Sequence, residues 1–77
     1  MPHVIVKMLP GRSEEQKVQL TAAIVKEVMA IANVGAEAVS VAIEEVPQGE
    51  WADKVYKPDI ENGSGKLYKR PGYRPTR

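Results

Sequence analysis

The sequence predicts a small α/β (α+β) domain built on one β-α-β unit with two parallel strands. Three observations predict it: a strand-like apolar run near the start of the chain, a long helical apolar pattern behind a capping signal, and a second alternating run. A strand, a helix of about twenty residues and another strand, in this order, favour a parallel pair joined by a right-handed crossover.

The first strand is predicted over residues 3–9. Val4, Val6 and Met8 fall on one face of this run and the residues between them fall on a mixed face, which is the period of a strand. The Pro-Gly pair that follows ends the strand in a turn.

A helix is predicted to begin at the cap residue Ser13, and Gln16 completes a capping box. The helix should run to about Asn33, with Gly35 near its C-terminal stop. It carries two adjacent apolar stripes, whereas a helix lying on a sheet needs only one. The second stripe fits contact with another subunit and a wide core-facing surface equally well. The stripes are Leu20, Ile24, Val28 and Ile31, and Val18, Val25, Met29 and Ala32.

A second strand is predicted over residues 39–46, where apolar and mixed positions alternate again. Two strands and one helix cannot cover both faces of a sheet. The chain is therefore expected to be at least a dimer, in which the sheets of β-α-β units join across the interface.

The rest of the chain is predicted to contain little regular structure. Residues 47–50 read as a turn and residues 51–56 as a short helical turn. From residue 57 onward the periodicity fades among prolines and glycines, although residues 66–68 suit a short edge strand. These patterns divide the chain into a β-α-β core over residues 1–56 and a C-terminal extension that packs on the core or on a neighbouring subunit.

The composition excludes several classes of protein. The chain has 77 residues, no cysteine and one histidine, which rules out disulfides and metal sites rich in cysteine or histidine. The net charge of +1 gives no overall attraction to nucleic acid or membranes, and there is neither a membrane-spanning run nor a signal peptide. A soluble cytoplasmic protein without a metal or cofactor is expected.

The first two residues, Met1 and Pro2, carry the strongest chemical signal. Removal of Met1 would leave proline as the N-terminus, with a secondary amine near the α-amino pKa range of about 7.7–8.0. An apolar pocket or nearby guanidinium groups lower the pKa of such an amine. The result is a neutral base near physiological pH. If Met1 stays, the nitrogen of Pro2 is an amide and has no proton chemistry.

Two further candidate residues follow from the order of the elements. Arg12 lies beyond the end of the first strand, so it is about 20 Å or more from Pro2 within one subunit. If two subunits pair with these strands antiparallel, Arg12 of one meets Pro2 of the other, and two equivalent sites form. Trp51 follows the second strand directly.

Pro2, the ten-residue step to Arg12, the stretch at residues 11–17 and Trp51 together resemble the 4-oxalocrotonate tautomerase family, over about residues 2–51. The resemblance implies a β-α-β protomer, assembly as dimers or hexamers, and keto–enol tautomerisation of 2-oxo acids. It also implies removal of Met1, proton transfer by Pro2, carboxylate binding by Arg12 and an apolar substrate contact at Trp51.

One position departs from the family pattern. Ser40 stands where the prototype has a second arginine for the far carboxylate of a dicarboxylate. The basic stretch at residues 69–73 resembles a longer, typically dimeric subgroup that includes a bacterial phenylpyruvate tautomerase. An aromatic or other monocarboxylate enol is the expected substrate. Leu9 and Ser40 complete the candidate substrate-binding residues, with Ser40, a backbone N–H or water assisting at the substrate oxygen.

Plainer interpretations remain open beside these. Arg12 also suits a solvated loop, Trp51 a core or interface anchor, and Ser40 a position facing solvent or a neighbouring strand. His3 is expected to make an ordinary hydrogen bond within its strand and is not a catalytic candidate. The competing functions are a non-enzymatic oligomeric binding module with Met1 retained, a nucleic-acid contact through the basic tail, and a hydratase or dehalogenase of unsaturated acids.

Overall fold

The computed structural model of the chain describes residues 1–63 and 65–74. They fall into two compact units, the first spanning Met1–Glu45 and the second beginning at Val46. Residues 46–56, which the sequence pattern assigned to the core, group with the residues that follow them. The packing of the C-terminal extension on the core or on a neighbouring subunit stays a prediction.

The first unit is the β-α-β unit that the sequence predicts. Strand β1 (His3–Met8) pairs in parallel with strand β2 (Ser40–Glu45), and the helix α1 (Glu14–Ala32) lies between them in the chain. The register runs without a break from His3 opposite Ser40 to Met8 opposite Glu45. The fold class is therefore confirmed, with each strand one or two residues shorter than its apolar pattern.

The start of α1 is the predicted capping box. The Ser13 hydroxyl accepts a hydrogen bond from the Gln16 N–H at 3.1 Å, and the Gln16 side chain accepts one from the Ser13 N–H at 2.9 Å. The helix ends at Ala32, close to the predicted end at about Asn33, and Gly35 follows two residues after Asn33. Asn33 ends the helix in the left-handed region at φ 60°, which asparagine tolerates, and its N–H bonds to the Met29 carbonyl.

α1 covers one face of the two-stranded sheet. Side chains of Val41 and Ile43 from β2 line a groove together with Val18 and other residues of the first turns of α1. The ammonium of Lys17 binds the carboxylate of Glu45 at 3.0 Å, and this hydrogen bond raises the pKa of Lys17 above its usual value. The opposite face of the sheet, which includes His3 and Ser40, carries no helix of this unit.

The apolar surface left exposed in the first unit is large. No residue of α1 is buried, and Val18 and Ile31 on its two stripes are 59% and 82% exposed. Ile5, on the other face of the sheet, is 50% exposed. This surface supports the expectation of an oligomer, which stays a prediction. Within residues 1–63 and 65–74, no helix is long and apolar enough to cross a membrane.

The second unit differs from its prediction. Helix α2 (Gln48–Trp51) runs directly into a π-helix (Ala52–Glu61), so the helical segment extends well past the short turn predicted at 51–56. Pro58 does not end it, because the wider π-turn relieves the clash between a proline ring and the preceding turn. The predicted edge strand at 66–68 is also wrong, since Lys66 lies in a turn, Tyr68 lies in a bend and Leu67 has no regular structure.

Candidate active site

Pro2 lies immediately before β1 and is half-buried. Its carbonyl oxygen accepts a hydrogen bond from the Ser40 N–H at 3.2 Å. This bond extends the pairing of β1 and β2 by one position toward the N-terminus, so Pro2 is fixed beside the first residue of β2. Met1, which precedes it, is fully exposed.

Arg12 lies at the opposite end of β1, in the short connection to α1. Gly11 has φ 128°, a backbone conformation that residues with a side chain rarely adopt, and it turns the chain from the strand toward the capping box. Arg12 is exposed, and Leu9 at the end of β1 is 38% exposed. A six-residue strand spans about 20 Å, so one chain does not bring Pro2 and Arg12 together.

A contact beside Pro2 joins two side chains across the strands. The Nδ1 atom of His3 and the hydroxyl oxygen of Ser40 are 2.6 Å apart, and the two residues are direct partners in the register. Both residues are exposed. The sequence pattern suggested an ordinary hydrogen bond for His3 but did not identify its partner, because that partner depends on the register of strands 37 residues apart.

Trp51 belongs to the second unit, at the end of α2, and is half-buried. Its indole Nε1–H donates a hydrogen bond to the hydroxyl of Tyr73 at 2.9 Å. The Tyr73 ring in turn packs against Tyr56, with centroids 5.8 Å apart and planes tilted by 50°. Tyr73 was not among the candidate residues, although an aromatic residue after the Pro-Gly pair at 71–72 was visible in the sequence.

These tyrosines also border a cavity of about 270 Å³ within the second unit. The charged residues that line it are Glu61, Arg70 and Arg74, so acidic and basic groups border the same cavity. Among residues 1–63 and 65–74, no cluster of three or more histidine, aspartate or glutamate side chains could hold a metal ion. Both arginines belong to the basic tail, whereas Glu61 is the last residue of the π-helix.

The family assignment follows from a comparison with known proteins. The model of the family described as "Tautomerase enzyme" matches residues 2–55, which is more than half of the chain. The chain belongs to the tautomerase family. This match includes Pro2, Arg12, Ser40 and Trp51.

Relatives of this tautomerase align over nearly its whole length. A probable tautomerase of Xylella fastidiosa is 45% identical over 73 residues, covering 95% of this chain and 89% of the relative. Tautomerase PptA of Enterobacter sp. is 36% identical over 74 residues, covering 95% of this chain and 97% of the relative. The chain is accordingly an isomerase of the tautomerase type.

Solved structures agree with the fold. YwhB, described as a homologue of 4-oxalocrotonate tautomerase, superposes with a TM-score of 0.60 at 38% identity, over 61% of this chain and 77% of YwhB. The apo form of an unfused 4-OT superposes with a TM-score of 0.61 at 28% identity, over 64% and 80% of the two chains. The resemblance to the 4-oxalocrotonate tautomerase family is thereby confirmed.

Proposed function

We propose that this tautomerase interconverts the keto and enol forms of 2-oxo acids, with Pro2 as the general acid and base after removal of Met1. The position of Pro2 carries the proposal. Its half-buried ring precedes β1, and the hydrogen bond from the Ser40 N–H to its carbonyl holds it in place. A fixed, partly desolvated amine is suited to proton transfer near neutral pH.

The proposed site is shared between two copies of the chain. Pro2 and Arg12 lie at opposite ends of β1, so a single copy cannot supply both to one small substrate. When two β1 strands run antiparallel across a two-fold axis, each Pro2 meets the other copy's Arg12. The exposed Ile5 and Ile31 side chains give such an assembly apolar surface to bury. A dimer is favoured, and a hexamer built from dimers uses the same pairing.

The proton transfers of the proposed mechanism use these groups and the substrate. Arg12 of one copy binds the substrate carboxylate with two parallel charge-assisted hydrogen bonds. Neutral Pro2 of the other copy takes the proton of the enol hydroxyl, and the resulting prolinium delivers a proton to carbon, which gives the 2-oxo acid. The adjacent oxo group already acidifies that carbon, so the reaction needs no cofactor.

The proposed substrates are aromatic or other monocarboxylates, such as the enol of phenylpyruvate. Ser40 offers a hydroxyl and no positive charge, which leaves a second carboxylate without an ionic partner. Trp51 supplies an apolar contact for the far end of the substrate, and Leu9 lies near Arg12 in the chain. We expect Ser40→Arg to raise kcat/KM for a dicarboxylate enol relative to phenylpyruvate enol.

The direct test measures intact mass and phenylpyruvate enol ketonisation on the same purified protein. The wild type should lack the mass of Met1, and Pro2→Ala should lose at least about a hundredfold in kcat. Pro58→Ala, at an exposed position of the π-helix, is the matched proline control and should keep full activity. Retained Met1 on active protein, or full activity in Pro2→Ala, would overturn the assignment of the base.

Mixing two inactive variants tests the shared site. If Pro2→Ala and Arg12→Ala chains are unfolded and refolded together in equal amounts, about half of the dimers are hybrids, and each hybrid has one intact site. Activity should return to about a quarter of the wild-type value. Each variant refolded alone should stay inactive. No recovery in hybrids verified by mass would mean that each copy forms its site alone.

A further inference from the structure

We propose that His3 and Ser40 form a catalytic hydrogen-bonding pair, in which Ser40 donates a hydrogen bond to the reacting oxygen of the substrate and His3 positions the Ser40 hydroxyl. Ser40 is then a catalytic residue, and His3 is a positioning residue that acts through it. The inference rests on the proposed function, because it places the reacting oxygen beside Pro2.

The pair lies next to the proposed base. Ser40 bonds through its backbone N–H to the Pro2 carbonyl at 3.2 Å and through its hydroxyl oxygen to His3 Nδ1 at 2.6 Å. Both side chains are exposed on the face of the sheet that α1 does not cover, so a ligand can reach them. Ser40 therefore contacts Pro2 through its backbone N–H and offers a hydroxyl group through its side chain.

The direction of the hydrogen bond decides what Ser40 can do. A hydroxyl has one proton to donate and two lone pairs that accept. When Nδ1 of His3 carries a proton, it donates to the Ser40 oxygen, and the Ser40 proton is left to point elsewhere. Accepting this bond occupies one lone pair of the Ser40 oxygen and so limits the directions open to its O–H. The free O–H is then available to the substrate.

The reaction uses such a donor at one step. As the enol hydroxyl loses its proton to Pro2, negative charge develops on the substrate oxygen, and a fixed hydrogen-bond donor stabilises that charge. The proton moves from the enol oxygen to the nitrogen of Pro2 and from there to carbon, while the oxygen becomes the carbonyl. Ser40 and His3 keep their own protons throughout. A neutral donor thus serves the oxygen without attracting a second carboxylate.

Four single variants test the pair in the ketonisation assay. Ser40→Ala removes the donor and should lower kcat about tenfold to a hundredfold with little change in KM, because Arg12 still binds the carboxylate. Ser40→Thr keeps a hydroxyl and suits a strand, so it should retain most of the activity. His3→Leu removes the positioning bond and should lower kcat about tenfold. His3→Asn has an amide N–H close to the place of Nδ1 and should restore most of that loss.

The double variant separates this role from a structural one. If His3 acts through Ser40, adding His3→Leu to Ser40→Ala should cause no further loss of kcat. Thermal unfolding of each variant, followed by circular dichroism, identifies any loss that comes from unfolding. The inference is overturned if the two losses multiply in the double variant, if folded Ser40→Ala keeps its kcat, or if Ser40→Thr is as inactive as Ser40→Ala.

The same assay distinguishes failure of this inference from failure of the proposed function. Pro2→Ala is measured beside the other variants. If Pro2→Ala is inactive while folded His3→Leu and Ser40→Ala turn over normally, only the role of the pair is lost. If Pro2→Ala keeps full activity, Pro2 is not the base. The proposal that Ser40 donates a hydrogen bond beside Pro2 is then overturned as well.

Discussion

Each of the two units of the chain is stabilised by a different kind of interaction. In the first, two strands pair backbone to backbone over six consecutive positions, and a capped helix of 19 residues covers one face. In the second, the described residues form no strand. Its side-chain contacts include two ion pairs along the helical segment, Glu50–Lys54 and Asp53–Lys57, and the Trp51–Tyr73 hydrogen bond.

The two units also have different proposed roles in the reaction. The residues proposed for proton transfer and carboxylate binding, Pro2, Ser40 and Arg12, lie at the ends of elements in the first unit, where backbone pairing and a capped helix fix them. The proposed apolar contact, Trp51, lies in the second unit and is held by a side chain from the tail. We therefore expect changes in the first unit to act on kcat or kcat/KM, and changes in the second to act on KM for aromatic substrates.

The largest effect outside Pro2 is expected from Arg12→Ala. It removes both charge-assisted hydrogen bonds to the substrate carboxylate, and kcat/KM for phenylpyruvate enol should fall about a hundredfold or more. Arg12→Lys keeps the charge without the paired geometry and should recover only part of the loss. Lys26→Ala removes an exposed charge on α1, away from Arg12 in the chain, and serves as the control. A loss of less than threefold for Arg12→Ala would contradict its role.

The first unit could be predicted from sequence because its signals are local. Strand alternation, the Ser13 and Gln16 box and the order of elements each occupy a few neighbouring residues, and all were confirmed. Contacts between distant residues could not be predicted in this way. The His3–Ser40 bond joins residues 37 apart and depends on register, and the Trp51–Tyr73 bond joins residues 22 apart across a turn-rich stretch.

The second helical segment was underestimated for a related reason. Pro58 and the polar composition argue against a helix on propensity alone. The structure instead pairs Glu50 with Lys54 and Asp53 with Lys57 along it, and buries Val55 to 5% exposure. The proposed catalytic residues Pro2 and Arg12, by contrast, were visible in the sequence through their chemistry and spacing.

Val55→Ala should give the largest change in stability in the second unit. Val55 is 5% exposed, and truncation removes two buried carbon groups, which costs about 2 kcal/mol in the free energy of unfolding. Hydrogen exchange should show faster exchange at amides of Ala52–Glu61 than in the wild type. If hydrogen exchange at the amides of α1 accelerates by the same factor, the two units unfold together. The difference between the units would then concern their contacts and not their stability.

The cap of α1 offers a smaller change in the first unit. Ser13→Ala removes the acceptor for the Gln16 N–H and should cost about 1 kcal/mol in urea unfolding. Ser13→Asp keeps an N-cap acceptor and should lie close to the wild type. Because Ser13 follows Arg12 directly, a moderate rise in KM should accompany the loss of the cap. An unchanged unfolding midpoint in Ser13→Ala would show that the cap contributes nothing.

Tyr73→Phe tests whether the tail controls the position of Trp51. The variant keeps the ring that packs on Tyr56 and deletes only the hydroxyl that accepts the Trp51 N–H. A neutral hydrogen bond of this kind contributes about 1 kcal/mol, so KM for phenylpyruvate enol should rise about threefold to fivefold with kcat unchanged. Tyr68→Phe, at a fully exposed position, is the matched control. Equal KM values in the two variants would mean that Tyr73 does not position Trp51.

The smallest effect is expected from the ion pairs along the second helical segment. Glu50 and Lys54 are 2.7 Å apart, and Asp53 and Lys57 are 3.1 Å apart, each at the i,i+4 spacing and with both side chains largely exposed. Double-mutant cycles with alanine at each pair should give coupling energies of about 0.3–0.5 kcal/mol, falling as salt is added.

These couplings decide how the second unit is held. Small values mean that Val55 and the aromatic contacts of Trp51, Tyr56 and Tyr73 stabilise it, and that the polar stretch is helical because it is continuous with α2. Couplings above about 1 kcal/mol that persist at high salt would reverse this view, because exposed pairs rarely contribute so much. The segment would then be stabilised by its own local pairs, and its dependence on the Trp51–Tyr73 bond would have to be weak.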